Sequence, residues 1–251
     1  MEEVPPLQPS SPRPWSRLLG VVLAVSIAVN LYLLTADRDP QDVVDDFHHL
    51  SYDTKAPWVD NKWLGVTALQ NPNDAWVIQE IMNEVKPDFV IETGTWNGGG
   101  ALLWATILEQ INPQGRVITI DVEDGTGDAQ KVPLWWRRVT FLHGSSTDPG
   151  IVRKVQQIVG DGKVLVILDS DHSRENVLKE LKTYGPLVSP GSYLVVQDTS
   201  VNGHPILPDF GPGPMEAVEE FVPEHPEFTI DRSRERMLFT LHPKGYLKKS
   251  E

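Results

Sequence analysis

The chain has 251 residues, enough for one domain with a sizeable core plus an appendage. A formal net charge of −13 makes its surface acidic and sets nucleic acid aside as a partner, because a phosphate backbone would be repelled. With no cysteine there is no disulfide, no thiolate nucleophile and no Cys-ligated zinc or iron–sulfur site.

Residues 1–17 form a Pro/Ser-rich leader containing Arg13 and Arg17, expected to be disordered. Leu18 to Ala36 then runs nineteen residues without a charge, long enough to cross a bilayer nearly upright, and predicts one N-terminal transmembrane helix. A cleaved signal peptide is the main alternative. It is disfavoured because the run exceeds an ordinary h-region and Leu34 sits poorly three positions before a cut at Ala36. Arg13 and Arg17 before the run and Arg38 and Lys55 after it leave the orientation open by charge. Residues 37–62, with acids at Asp42, Asp45 and Asp46, read as a linker, and residues 63–251 as the folded domain.

Within that domain, Ala75 to Val85 has helical apolar spacing with Asn73 or Asp74 as N-cap. Strands are then predicted at Phe89–Glu92, Arg116–Asp121, Val139–Leu142, Val164–Asp169, Tyr193–Asp198, Phe228–Asp231 and Met237–Leu241. The helices between them are predicted at Gly98–Ile111, Pro149–Val159, Arg174–Tyr184 and Pro214–Val222. This alternation predicts an α/β fold with a doubly wound, mostly parallel seven-stranded sheet. The last two strands have no helix between them, so one is expected to run antiparallel at an edge.

Two constellations carry the chemistry. The first is Phe89-Val-Ile-Glu92-Thr-Gly94-Thr-Trp96-Asn-Gly98, answered by Asp121 at the end of the next strand. A strand, a glycine turn and an apolar helix bring backbone N–H groups close to a ligand. Trp96 stands where a dinucleotide fingerprint has its second glycine, which argues against NAD and FAD. Acid-x-Gly-x-x-x-Gly followed by an acid one βα unit later is the pattern that holds S-adenosylmethionine, the second carboxylate meeting the ribose hydroxyls. The second constellation is Asp169-Ser-Asp171-His172 with Gln197-Asp198, at the carboxyl ends of adjacent strands about 4.8 Å apart. Asp169, Gln197 and Asp198 present oxygens suited to one hard cation such as Mg²⁺. His172 is a candidate base for a hydroxyl proton, its alternative being an ordinary turn residue. Asp171 and His204 are candidate substrate contacts, His204 in a Gly/Pro-rich loop between Asn202 and Pro214.

Trp63-Leu-Gly65, Gln70-x-Pro72-x-Asp74, Ile91-Glu-Thr-Gly-Thr95, Gly144-Ser-Ser-Thr-Asp148, Leu168-Asp-Ser-Asp-His172, Val196-Gln-Asp198, Asn202-Gly-His-Pro205 and Pro243-Lys-Gly-Tyr-Leu247 together resemble the rhamnosyl O-methyltransferase and cephalosporin hydroxylase family, over about Trp58 to Leu247. The resemblance implies the class I methyltransferase type of sheet and S-adenosylmethionine as cofactor. It also implies Mg²⁺ near the transferred methyl. By the resemblance Glu92, Gly94 and Gly98 line the methionine and ribose pocket, Asp121 takes the ribose, and Ser145 or Ser146 lies beside the adenine. Asp169, Gln197 and Asp198 match the metal positions, although relatives commonly carry Glu-Asp where this chain has Gln197-Asp198. The acceptor implied is a sugar hydroxyl of a glycolipid, polysaccharide or glycosylated small molecule. Expected partners are that acceptor and a membrane, with a homo-oligomer allowed for. Two other readings stay open: a hydroxylase-associated subunit and a non-catalytic, membrane-tethered cofactor-binding protein.

Overall fold

The computed structural model describes residues 14–35, 38–54 and 56–251. The chain divides into two units, residues 1–43 and 44–251. Helix α1 (Pro14–Thr35) belongs to the first. It exposes Leu19, Val21, Leu23, Val25 and Ile27, each by more than half, so it is apolar on every side. The leader through Arg13 and the end of the expected transmembrane run at Ala36 lie outside the described residues. Among the described residues no helix is long and apolar enough to cross a membrane.

The second unit is organised by a sheet of order β5-β4-β3-β6-β7-β9-β8. Its strands are β3 (Phe89–Thr93), β4 (Arg116–Asp121), β5 (Val139–His143), β6 (Val164–Leu168), β7 (Tyr193–Val196), β8 (Phe228–Ile230) and β9 (Tyr246–Lys249). β1 (Lys62–Trp63) and β2 (Val66–Thr67) form a separate two-stranded ribbon. The first five strands of the large sheet are parallel, and β9 pairs antiparallel with both β7 and β8. Successive side chains leave opposite faces of a strand, so β6 sends Leu165 and Ile167 to one core and Val164, Val166 and Leu168 to the other. The first core is roofed by α3 (Pro72–Val85) and α4 (Gly99–Ile111), and the second by α6 (Pro149–Val159), α7 (Arg174–Tyr184) and α8 (Pro214–Glu224). α4 buries Ala101, Leu102, Trp104, Ala105 and Leu108, the i, i+3, i+4 stripe of a helix lying on a sheet. A short helix, α5 (Pro133–Arg138), was not visible in the apolar pattern.

Four expectations change. The antiparallel strand is β9, and it lies one position inside the edge, which β8 occupies. Residues Met237–Leu241 form no strand: Met237 and Leu238 are exposed, and Leu238 sits at φ 65°, a left-handed value that breaks extended backbone. The stretch expected as a linker, residues 37–62, contains α2 (Pro40–His49), a π-helical turn (Leu50–Thr54) and a 3₁₀ turn (Pro57–Asp60). Its His48 is buried, with Nε2 2.9 Å from the Thr240 carbonyl, and Phe47 packs edge-on against Phe239 at 4.9 Å. The N-cap of α3 is Asn71, whose side chain accepts from the Asn73 N–H, in place of Asn73 or Asp74.

Candidate active site

β3 and β6 are hydrogen-bonded neighbours, while the chain leaves them in opposite directions across the sheet, so a crevice opens at their carboxyl ends. A cavity of about 620 Å³ lies there, lined by residues that include Gln70, Glu92, Gly94, Asp121, Ser145, Ser146, Asp169, Asp171, His172 and Asp198. Nine of the twelve side chains singled out in the sequence share this one wall; Gly98, Gln197 and His204 do not.

Each exception has a local cause. Gly98 caps α4 at φ 83°, and a Cβ there would lie 2.7 Å from both Ala129 and Trp135, so this glycine serves helix packing. Gly99 and Gly100 reach the cavity instead. His204 Nε2 lies 2.9 Å from Glu216 Oε1 in the first turn of α8, which also accepts from Asn202, so the imidazole is spent against that helix. Gln197 is 3% exposed and sits behind the wall. Its side chain and that of Gln70 face each other at 3.1 Å. With its amide nitrogen turned toward Asp169, Gln197 donates to both carboxylate oxygens, at 3.2 and 2.9 Å. Gln197 is therefore a partner of the Asp169 carboxylate and not a group facing the cavity.

At the β3 turn, Gly94 is at φ 85°, and a Cβ on it would fall 1.8 Å from the Asp169 carbonyl oxygen, so only glycine lets β3 and β6 end this close. Asp121 fixes the same turn, its Oδ2 accepting the Thr95 and Trp96 N–H groups at 2.9 Å each. Its Oδ1 accepts from Glu123 N and keeps room for a further donor. Glu92 is buried, accepting from Trp104 Nε1 at 2.7 Å and Thr119 Oγ1 at 2.6 Å. Burial raises its pKa to about 8 in spite of these bonds. Ser146 donates to the buried Glu180, while Ser145 is exposed on the wall.

Across the crevice, Asp169, His172 and Asp198 each bring one ligand atom within 4.8 Å of the others. His172 Nε2 lies 3.1 Å from Asp198 Oδ2 and 3.5 Å from Asp169 Oδ1. Neither contact has hydrogen-bond geometry, and the nitrogen is buried without a partner. Burial works against protonation of His172, yet the two carboxylates outweigh it and hold the pKa well above the ordinary imidazole value. Burial pushes Asp169 up, while the contact and charge of His172 overcome burial at Asp198 and bring it down. Two carboxylates facing one imidazole nitrogen form a small acidic pocket that calls for positive charge. An octahedral dication with oxygen ligands fits that donor set.

Sequence reasoning gave no role to Gln70 or His242. Both are buried, and His242 Nδ1 accepts from the backbone N–H of Asp198 at 3.0 Å. The available signal was their place in or beside the Gln70-x-Pro72-x-Asp74 and Pro243-Lys-Gly-Tyr-Leu247 motifs.

The strand order, the acidic glycine turn and a cavity across the carboxyl edge define the class I methyltransferase type of domain. The profile described as Rhamnosyl O-methyltransferase/CmcI matches residues 55–250, and the chain belongs to that family of O-methyltransferases. It is 39% identical over 238 residues to a Rhamnosyl O-methyltransferase of Mycobacterium tuberculosis, covering 92% of this chain and 94% of that protein. A Rhamnosyl O-methyltransferase of Mycobacterium leprae is 37% identical over 213 residues, covering 83% and 91%. Among solved structures, a CmcI chain in its Mg-SAM form aligns with a TM-score of 0.58 at 16% identity, covering 88% of this chain and 84% of that one. A CmcI apo-structure gives a TM-score of 0.59 at 16% identity, covering 99% and 90%. At such identity these two likenesses speak to the fold.

Proposed function

We propose that this O-methyltransferase uses S-adenosylmethionine and Mg²⁺ to methylate a hydroxyl of a sugar. The carrying observation is the convergence of Asp169, His172 and Asp198 on the cavity that also holds Glu92 and Asp121. Similarity to a Rhamnosyl O-methyltransferase over more than nine-tenths of the chain supports a sugar acceptor. In this reading Glu92 meets the methionine end of the cofactor, Oδ1 of Asp121 the ribose, and Ser145 and Ser146 the adenine. Asp169 and Asp198 hold the cation, and His172 takes the acceptor proton. Bound S-adenosylmethionine supplies an electrophilic methyl, and a bound dication makes a nearby hydroxyl more acidic. The chain's own part is to place the acceptor oxygen in line with that methyl and to exclude water, the positioning that dominates such transfers.

Calorimetry tests the pocket. S-adenosylmethionine is expected to bind and NAD not to. Asp121→Ala should weaken S-adenosylmethionine by about 1.5–3 kcal/mol, because a charged acceptor is lost and the Thr95–Trp96 turn loosens. Tighter binding of NAD would overturn the assignment. Cofactor binding without methyl transfer to any glycoside would favour the non-catalytic or hydroxylase-associated reading.

Gln197 offers a separate check on the cation. Gln197→Glu would set a third carboxylate about 3 Å from that of Asp169. The metal-free variant should melt at a lower temperature than the native protein, and added Mg²⁺ should raise its melting point by more. Equal responses to Mg²⁺ in both proteins would remove Gln197 from the metal's surroundings.

We also propose that the uncharged run of residues 18–36, whose end lies outside the described residues, anchors the protein in a membrane, supported by its length in the sequence and by the exposed Leu19, Val21, Leu23, Val25 and Ile27. S-adenosylmethionine is kept in the cytosol, so the catalytic unit is expected to face it. Protease treatment of sealed vesicles should leave a C-terminal tag protected, and deletion of residues 18–36 should release the protein from membranes. A tag digested from the outside would contradict the orientation.

A further inference from the structure

Both carboxylates of the proposed cation site sit on short, irregular backbone just beyond strand ends, and Asp198 is the more constrained of the two. β7 ends at Val196, and two residues later Asp198 adopts φ 53°, a left-handed conformation in which a non-glycine residue is strained unless its surroundings hold it. The hold comes from the segment Leu241–Gly245. Val196 N donates to the Gly245 carbonyl at 2.8 Å, Ser200 N to the Leu241 carbonyl at 3.2 Å, and Thr199 Oγ1 to the Pro243 carbonyl at 2.6 Å. In the middle of this series, the Asp198 N–H is received by a side chain, at Nδ1 of His242.

His242 is 2% exposed and does not line the cavity, so it touches neither acceptor nor cofactor there. Since Nδ1 accepts, the ring proton belongs on Nε2, which lies 3.7 Å from Asp74 Oδ2. Asp74 is itself held by Asn71 Nδ2 at 2.7 Å, Leu241 N at 2.9 Å, Tyr246 OH at 2.9 Å and the Thr240 hydroxyl. Nε2 has no hydrogen-bond partner, but the Asp74 side chain, fixed by four donors, lies on its side of the ring, which favours the tautomer that leaves Nδ1 free to accept.

We propose that His242, oriented by Asp74, is a positioning residue that fixes the Asp198 carboxylate for divalent-cation binding. It does so by accepting the Asp198 amide hydrogen and holding the left-handed turn. This rests on the cation reading above. It gives a joint role to two motifs that touch no reacting atom: Asp74 at the head of α3 and the His242–Tyr246 segment form one buried brace behind the site. Without an acceptor at Nδ1, the buried Asp198 N–H is orphaned and the turn relaxes toward ordinary backbone, carrying the carboxylate away from Asp169 and His172.

The test uses the full chain. Mg²⁺ affinity and metal-free S-adenosylmethionine affinity are measured by calorimetry, and exchange of the Asp198 amide by NMR, for native protein, His242→Ala and His242→Asn. The asparagine variant keeps an acceptor oxygen near the place of Nδ1. His242→Ala is expected to bind Mg²⁺ about ten-fold more weakly, the lower end of the range for outer partners of metal ligands. Its Asp198 amide should exchange faster while its metal-free cofactor affinity stays native, and His242→Asn should recover most of the loss. Native Mg²⁺ affinity in folded His242→Ala overturns the proposal, as does an equal fall in cofactor affinity, which would mark general loosening. If His242→Ala does not fold, the ¹⁵N shifts of His242 in the native protein decide: a protonated Nδ1 overturns the proposal and a bare one supports it. Native protein that takes up no Mg²⁺ overturns the cation reading itself and the role of His242 with it, an outcome separated from the others by that control.

Discussion

Substituting His172 by alanine is expected to lower kcat by about 10²–10⁴-fold, the usual worth of a positioned acid–base group, with S-adenosylmethionine affinity little changed. The ring lies on the cavity wall, against the carboxylates of Asp198 and Asp169. Those carboxylates hold a proton on the imidazole, and an imidazolium accepts nothing. His172 becomes a base only when the charge of Asp169 and Asp198 is met from another source. Asp169→Asn should also cost activity, because it removes one of the two carboxylates proposed to hold the cation that meets this charge, and the double variant should be little worse than the poorer single one, as for residues that act as a unit. Single-turnover rates of the four proteins measure this. A His172→Ala enzyme within a few-fold of native would leave methyl transfer to proximity alone.

Glu92 predicts an unusual dependence of stability on pH. Its pKa rises from 4.5 to about 8 on folding, so from about pH 4.5 to 8 the unfolded chain has released a proton that the folded one keeps. Protons bound in the unfolded state are then fewer than in the native state, and stability falls as pH rises through that window, becoming level above it. The expected loss is on the order of a few kcal/mol. Glu92→Gln should be flatter with pH and more stable than native near pH 8. Its amide can still accept from Trp104, and the Thr119–Thr95 hydroxyl pair, 2.7 Å apart, can reverse to receive the new N–H. The difference between native and variant melting curves isolates this group from others that titrate alongside it. Parallel curves from pH 5 to 8.5 would show Glu92 ionised in the folded domain. The same variant should bind S-adenosylmethionine less tightly if the carboxylate meets the methionine ammonium.

Much of the sheet was legible because four of its strands, β3, β4, β6 and β7, are buried nearly throughout and read as apolar runs rich in β-branched residues. β4, α6 and α7 fall where the pattern places them, and β3, β5 and β6 within one residue. β9 was hidden because its last two residues, Lys248 and Lys249, look like surface. Yet Lys249 reaches back to the Gly185 and Val188 carbonyls, so its ammonium is a cap and not a free charge. Met237–Leu241 imitates a strand in composition, and only a left-handed backbone at Leu238 reveals otherwise. The cavity wall was readable from acids and glycines at strand ends. Gln70, Gln197 and His242 were misjudged or passed over because their work is to hold other side chains, a relation that spans up to 127 residues of sequence between Gln70 and Gln197 and leaves no local spacing.

The segment from Phe47 to Asp60 has a practical consequence for dissecting the protein. Tyr52 and Trp58 lie nearly face to face, their centroids 5.0 Å apart, and both close one side of the cavity. A fragment beginning at Trp63, where the sequence pattern puts the domain's start, would strip both rings from the cavity. It would also uncover Phe239 and leave the Thr240 carbonyl without its imidazole. Such a fragment is expected to clump and to hold the cofactor poorly, and neither fault would say anything about the chemistry. Trimming for crystals or for soluble assays should spare everything from Val44 onward, where the second unit begins.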